Sequence, residues 1–336
     1  MNLPPIATTT VGSFPRPNWL SDRERSEVTF RLEGELLREA QDDATIAILH
    51  EQERVGLDLL TDGEQRRPHF INHVLAAMEG FDLVNRRDKA IRRRTDVERA
   101  VPRVIGPVRR RAVAVAGDLL FAKGHTSRPV KMAVPGPMTV VDTTFDEYYR
   151  DEEKLAMDVA AALNEELLAL QTAGCDIAQI DEPAMTRYQD KAAAYGARAL
   201  DRCLEGVTMP TIVHLCYGYP GGGKRQHEYE YPGLLALLMQ SRIGGFSVEF
   251  ARSGFDPAPL ALCKDRLIVF GCVDPGDTPP EPLEKVVARA RAALDYVEPS
   301  RLLLAPDCGL MTISRELALA KARLLVQAAS ELRRNL

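Results

Sequence analysis

The sequence predicts a (β/α)8 barrel of the TIM type with an inserted arginine-rich arm, residues 1–336 forming one unit. Three observations predict it. Short β-prone apolar runs alternate with amphipathic helical stretches along nearly the whole chain, the pattern of a parallel sheet. The 336 residues exceed the about 250 such a barrel commonly needs and leave room for an insertion. Polar residues recur at the C-terminal ends of the strand-like runs, where barrel loops converge. A doubly wound open sheet is the structural alternative.

Ala7 to Val11 forms the first β-prone run and stops at Gly12-Ser13-Phe14-Pro15, where proline precludes a regular continuation. Between Leu32 and Val55, apolar residues at helical spacing (Leu36, Leu37, Ala40, Ala44, Ile48) predict an amphipathic helix. Leu57 to Thr61 is the second strand, ending in Asp62-Gly63-Glu64. Residues 82–128 break the rhythm. This segment is arginine-rich between Arg86 and Arg111, including Arg92-Arg93-Arg94, with strand-like runs at Val101–Ile105 and Ala112–Ala116. It suggests a β-hairpin arm, either a solvated charged surface or a docking surface for an anionic ligand tail or protein partner.

The alternation then returns. Strands are expected at Val130–Val134, Ile177–Ile180, Thr211–Leu215, Phe246–Phe250, Leu267–Gly271 and Leu302–Ala305. Helices are expected at Asp151–Thr172, from about Lys191 to Leu204, Gly233–Ser241, Pro257–Cys263, Pro282–Tyr296, and from Ser314 to about Leu332. Acidic residues open the first of these, as the helix dipole favours, and Ser314 is a good N-cap.

A formal net charge of −5 argues against a general nucleic-acid or anionic-membrane binder. The N-terminus lacks the basic-then-apolar pattern of a signal peptide, and no run is long and apolar enough to span a membrane. A soluble cytoplasmic protein is expected. The six cysteines are scattered singly, unlike a disulfide scaffold. Cys175, Cys203 and Cys263 are expected in the core, and Cys272 is less certain because it follows a strand directly.

Chemistry collects at the strand ends: Ser13, Glu64, Asp181, His214, Cys216, Glu249, Asp274 and Cys308. His214 and Cys216 are two apart, so both side chains point to one face of a strand end. With Cys308 and Glu249 they offer an N, S, S, O set suited to tetrahedral Zn2+. If one ligand is exchangeable, such a centre can activate a substrate thiol for alkyl transfer, because the thiolate is the nucleophile. Taken singly, Glu64 reads as a surface carboxylate, Asp181 as part of a capping turn and Cys308 as a buried apolar residue. Gly218 and Gly223-Lys224 have Walker A spacing, but Arg225 replaces the magnesium-binding hydroxyl and Pro220 interrupts the loop. A lid over the metal fits that stretch better.

These stretches resemble the catalytic half of cobalamin-independent methionine synthase. The matching motifs are Thr9-Thr10-Val11-Gly12-Ser13-Phe14-Pro15, Asp62-Gly63-Glu64, Gly136-Pro137-Met138-Thr139 and Gln179-Ile180-Asp181-Glu182-Pro183. Further on come His214-Leu215-Cys216-Tyr217, Val248-Glu249 with Arg252-Ser253, and Pro306-Asp307-Cys308-Gly309-Leu310. The resemblance implies that His214, Cys216, Glu249 and Cys308 ligate zinc, with Glu249 the ligand that homocysteine sulfur displaces. It implies that Val11, Gly12, Ser13, Glu64 and Asp181 bind the amino acid's ammonium and carboxylate.

The chain departs from the long enzymes in three ways. It lacks their second barrel, Thr143 stands where they carry a pterin-stacking Trp, and Gly276 stands where they carry a proton-donating His. The acceptor half of the site is therefore intact, and the methyl donor is open among methyltetrahydrofolate, a methylated corrinoid protein and a small methyl compound. The arginine-rich arm is a candidate dock for a methyl-donor or corrinoid partner protein. A related zinc thiol alkyltransferase, of the type that opens epoxides with coenzyme M, is the alternative, and Glu64 with Asp181 favours an amino-bearing thiol over it. A porphyrinogen decarboxylase-like reading leaves the zinc set unexplained, and a non-catalytic zinc- or corrinoid-binding subunit is the reading from a different class.

Overall fold

The computed structural model describes residues 3–22, 28–91, 98–217, 231–276, 278–334 and 336. The first strand is β1 (Ala7–Thr8), and the first helix is α1 (Gly34–Val55). This helix buries Ala40, Ala44, Ile48 and Leu49 and ends at Gly56, whose φ of 96° suits the left-handed cap that glycine adopts without strain. A short α2 (Asn72–Leu75) precedes β2 (Met78–Ala90) and β3 (Glu98–Arg110), which pair antiparallel. Then follow α3 (Ala116–Lys123), β4 (Lys131–Pro135), α4 (Pro137–Asp142), β5 (Phe145–Asp146), α5 (Glu152–Thr172) and β6 (Ile177–Asp181).

A run of α6 (Gln189–Lys191), a π-turn (Ala192–Gly196) and α7 (Ala197–Cys203) covers the expected next helix. The chain continues with β7 (Thr211–Leu215), α8 (Tyr231–Leu238), β8 (Gly245–Glu249), a 3-10 turn (Ala258–Cys263) and β9 (Leu267–Val273). It closes with α9 (Leu283–Ala293), β10 (Leu302–Pro306) and α10 (Arg315–Arg333), whose N-cap Ser314 accepts the Leu317 N–H at 3.1 Å.

Seven strands form one parallel sheet in the order β1-β10-β9-β8-β7-β6-β4. Alternate residues go to opposite faces. Val213 and Leu215 join the main core shared with the helices, whereas Ile212 joins Ala7, Leu59, Ile177, Val269 and Leu303 in a second cluster. The chain is thus α/β with a parallel sheet, as expected.

The expected second strand, Leu57 to Thr61, is reduced to a single parallel bridge between Leu60 and Val130. It nevertheless bonds toward both edges of the sheet. Leu59 N–H donates to Thr8 O at 3.0 Å, Leu60 N–H to Pro129 O at 2.9 Å, and Lys131 N–H to Leu60 O at 2.8 Å. The ladder stops because the Gln52 side chain takes both backbone groups of Thr61, at 2.8 and 3.1 Å.

The arginine-rich segment forms the β2–β3 hairpin, joined by β5 alongside β3. Arg103 bridges Asp82 and Glu147, and Arg110 pairs with buried Glu166 at 2.8 Å. The expected strand at Ala112–Ala116 is absent. There the N–H groups of Ala114, Val115 and Ala116 converge on the Glu166 carboxylate, at 3.1, 2.7 and 3.1 Å, and start α3. Arg92-Arg93-Arg94 and the Gly218–Arg225 stretch lie outside the described residues. No helix among the described residues is long and apolar enough to cross a membrane.

Candidate metal centre and acceptor pocket

Parallel pairing brings the C-terminal ends of β6, β7, β8 and β10 to one end of the sheet. Asp181 pairs in register with His214, and Leu215 with Val248, which sets Cys216 beside Glu249. Donor atoms of His214, Cys216 and Cys308 all lie within 4.8 Å of one another. The two sulfurs are 3.9 Å apart. Tetrahedral zinc with bonds of about 2.3 Å separates two thiolates by about 3.8 Å, so the spacing fits that ion.

His214 supplies the second indication. Its Nδ1 lies 2.9 Å from Ser247 Oγ, while Nε2 is buried with no hydrogen-bond partner among the described residues. A buried polar nitrogen without a partner is costly, and a cation placed there removes the cost. A ring held through one nitrogen and free at the other is the usual arrangement of a metal-binding imidazole.

The two thiols share a hydrogen bond. A hydrogen bond from Cys308 holds the Cys216 thiol well below the ordinary thiol range despite burial, and His214 adds to the effect. The same bond pushes Cys308 up. The Cys308 thiol thus donates to the Cys216 sulfur, and divalent ions displace thiol protons on binding.

Glu249 adjoins Cys216 but is not one of the three donors that converge within 4.8 Å. It is 1 % exposed, its Oε2 accepts the Tyr217 N–H at 3.0 Å, and its own N–H donates to Tyr231 Oη at 2.9 Å. Tyr231 also donates to Leu215 O at 2.8 Å, tying the ends of β7 and β8 together. Asp307, beside Cys308, accepts N–H bonds from Phe250, Ala251 and Arg252 at 3.1, 3.0 and 2.6 Å. That staple fixes the turn after Glu249 against the end of β10. Burial pushes the Asp307 carboxyl up to about 7.

The predicted amino-acid-binding residues gather beside this centre. A Cβ on Gly12 would meet Glu64 Oε1 at 2.7 Å, and one on Gly309 would meet Ser13 Oγ at 2.1 Å. Only glycine permits those approaches, so Ser13 touches the residue after Cys308. Glu64 itself adopts φ 55°, uncommon for a side-chain-bearing residue. Asp62 Oδ1 accepts its N–H at 3.1 Å, and Arg16 donates to its carbonyl at 2.7 Å. Burial raises the Glu64 and Asp181 carboxyls, with Arg67 opposing at Glu64 and His214 at Asp181. A paired set of desolvated carboxylates favours a cationic group between them.

Asp274 Oδ1 accepts the Gly276 N–H at 2.7 Å and lies 3.9 Å from Arg252 Nη1. Thr143 ends α4 and donates its hydroxyl to Thr139 O at 2.7 Å. Cys175, Cys203, Cys263 and Cys272 are buried, and burial raises all four thiols. The residues that sequence reasoning did not single out are Ser247, Tyr231, Asp307 as a staple, and Lys131. A lysine inside the apolar run Val130–Val134 was the available signal for the last.

A His-Cys-Cys donor set thus lies at the C-terminal strand ends of a parallel α/β sheet, and comparison with known proteins defines the class as methyltransferase of the methionine synthase type. The sequence profile described as cobalamin-independent synthase, catalytic domain, matches residues 6–331. Methionine synthase of Saccharolobus solfataricus is 30% identical over 340 residues, covering 99% of this chain and 97% of that protein. Methionine synthase of Thermococcus kodakarensis is 31% identical, covering 100% and 96%. The structure of a B12-independent methionine synthase from Shewanella sp. W3-18-1, in complex with selenomethionine, superposes with TM-score 0.93 at 33% identity, covering 99% of both chains. The chain belongs to the cobalamin-independent synthase catalytic-domain family.

Proposed function

We propose that this chain methylates the sulfur of homocysteine to give methionine, using a zinc ion held by His214, Cys216 and Cys308 with Glu249 as an exchangeable fourth ligand. The observation that carries the reading is the convergence of an N, S, S donor set with a buried carboxylate pair at one end of the sheet. Zinc bound there supplies Lewis acidity that favours the thiolate form of an incoming thiol at neutral pH.

The chain's own groups do the rest. Glu64 and Asp181 hold the substrate's ammonium, while Val11, Gly12 and Ser13 line its carboxylate end. Ser247 holds the His214 ring, and Tyr217 N–H holds the Glu249 carboxylate when it is off the donor set. The selenomethionine complex of the Shewanella relative supports an amino acid of this shape in the pocket.

In the same reading, Leu57–Thr61 is the strand that closes an eight-stranded TIM barrel, and residues 82–128 are an arm inserted into one unit. Its bonds to Thr8, Pro129 and Lys131 support that closure. On the donor side, Thr143 and Gly276 replace an aromatic platform and a proton donor. The donor classes are therefore methyltetrahydrofolate, a methylated corrinoid protein docking at the arm, or a small methyl compound.

Metal analysis with X-ray absorption tests the centre: about one zinc per chain is expected, with an added sulfur neighbour on homocysteine addition. Zinc held by four permanent protein ligands with no thiol response overturns it. Growth rescue of a methionine auxotroph, with and without corrinoid, separates the donors.

A further inference from the structure

Lys131 opens β4, a strand buried at every residue, and is itself 1 % exposed. Lysine is almost never fully buried unless its ammonium is paired. Here the ammonium donates to Val11 O at 2.8 Å and to Gln179 Oε1. Gln179 is also fully buried, and its Nε2 donates to the same Val11 O at 2.9 Å and to Asp181 Oδ1 at 2.7 Å. The amide is thereby held at both ends, Oε1 by the ammonium and Nε2 by the two acceptors Val11 O and Asp181 Oδ1. Charged groups around it are Asp181, Glu64 and Asp62, with the Cys175 thiol behind.

We propose that Lys131 is a positioning and specificity residue that, acting through Gln179, presets Asp181 and the Val11 carbonyl for a thiol carrying an α-ammonium group. This rests on the acceptor reading above. Lys131 does not touch the reacting sulfur. Without it, Gln179 Oε1 is left buried with no donor, the amide shifts from its place against Asp181, and the carboxylate loses the orientation that an ammonium group needs. The Val11 carbonyl loses one of its two donors at the same time.

The test is equilibrium binding of homocysteine and of 4-mercaptobutanoate, its analogue without the amino group, to zinc-loaded full-length protein. Wild type is expected to prefer homocysteine by about tenfold or more, the worth of a charged hydrogen bond. Lys131→Met should bring that ratio to within about threefold, with 4-mercaptobutanoate affinity nearly unchanged. Gln179→Leu keeps Lys131 but removes the donor to Asp181 without adding a charge, so it should lower the ratio likewise. It decides the matter alone if Lys131→Met fails to fold. A merely structural role weakens both thiols alike and leaves the ratio intact; that result in either variant overturns the proposal. Absence of any amino preference in wild type overturns the acceptor reading itself, and this inference with it.

Discussion

Ser247 and His214 sit opposite each other in register on β8 and β7, and their side chains meet at 2.9 Å through Oγ and Nδ1. The contact leaves Nε2 aimed at the two cysteines. Groups that orient a metal-binding imidazole typically contribute about 10–100-fold to affinity. Ser247→Ala should therefore weaken zinc binding by about that factor while sparing the fold. Competition with a chromophoric chelator measures it, and an unchanged affinity would show that the hydroxyl is incidental.

The 3.9 Å between Cys216 and Cys308 is too long for a disulfide but within reach of one after a small shift. Metal-free protein exposed to mild oxidant should lose two of its six thiols, whereas zinc-loaded protein should keep all six. Thiol titration after denaturation reads the difference. Equal losses with and without zinc would count against a metal at these sulfurs.

Burial lowers Lys131 from 10.5 to about 8, against the opposing pull of Asp181 and Glu64. Between those values the unfolded chain binds more protons than the folded one, so this residue's contribution to stability rises with pH. The unfolding free energy of wild type relative to Lys131→Met should climb from about pH 8 to 10.5, at up to about 1.4 kcal/mol per pH unit. Denaturant titrations across that range give the slope. A flat difference would mean the ammonium keeps its ordinary affinity for protons.

Glu166 gathers Arg110 and three backbone N–H groups, so it anchors the foot of the hairpin to α5. Breaking a buried pair of this kind costs about 3–5 kcal/mol. Glu166→Ala should lower stability by roughly that amount and speed tryptic cleavage at Arg109–Arg111. If cleavage stays as slow as in wild type, the anchor lies elsewhere.

The fold was legible where periodicity is strong. Thr211–Leu215 was bounded correctly because its buried, β-branched run meets turn residues on both sides. Leu57–Thr61 bonds to both sheet edges but makes only one bridge rather than a ladder, and no local signal announces that Gln52 takes the backbone of Thr61. Ala112–Ala116 failed for a similar reason: a carboxylate distant in sequence claims its N–H groups. His214, Cys216 and Cys308 were legible as chemistry, since donor type and strand-end placement are both written in the chain. Their supports were not. Ser247, Tyr231 and Lys131 act through contacts that only the folded sheet creates.

Cys308 lies 92 residues beyond Cys216, and in the sheet β8 and β9 stand between their strands. A growing chain therefore exposes His214 and Cys216 for roughly 5–20 s of synthesis before the third donor exists. Two donors on one strand hold a metal weakly and without selectivity. A metal bound by these three residues would therefore load late, once the completed sheet has brought the third donor into place.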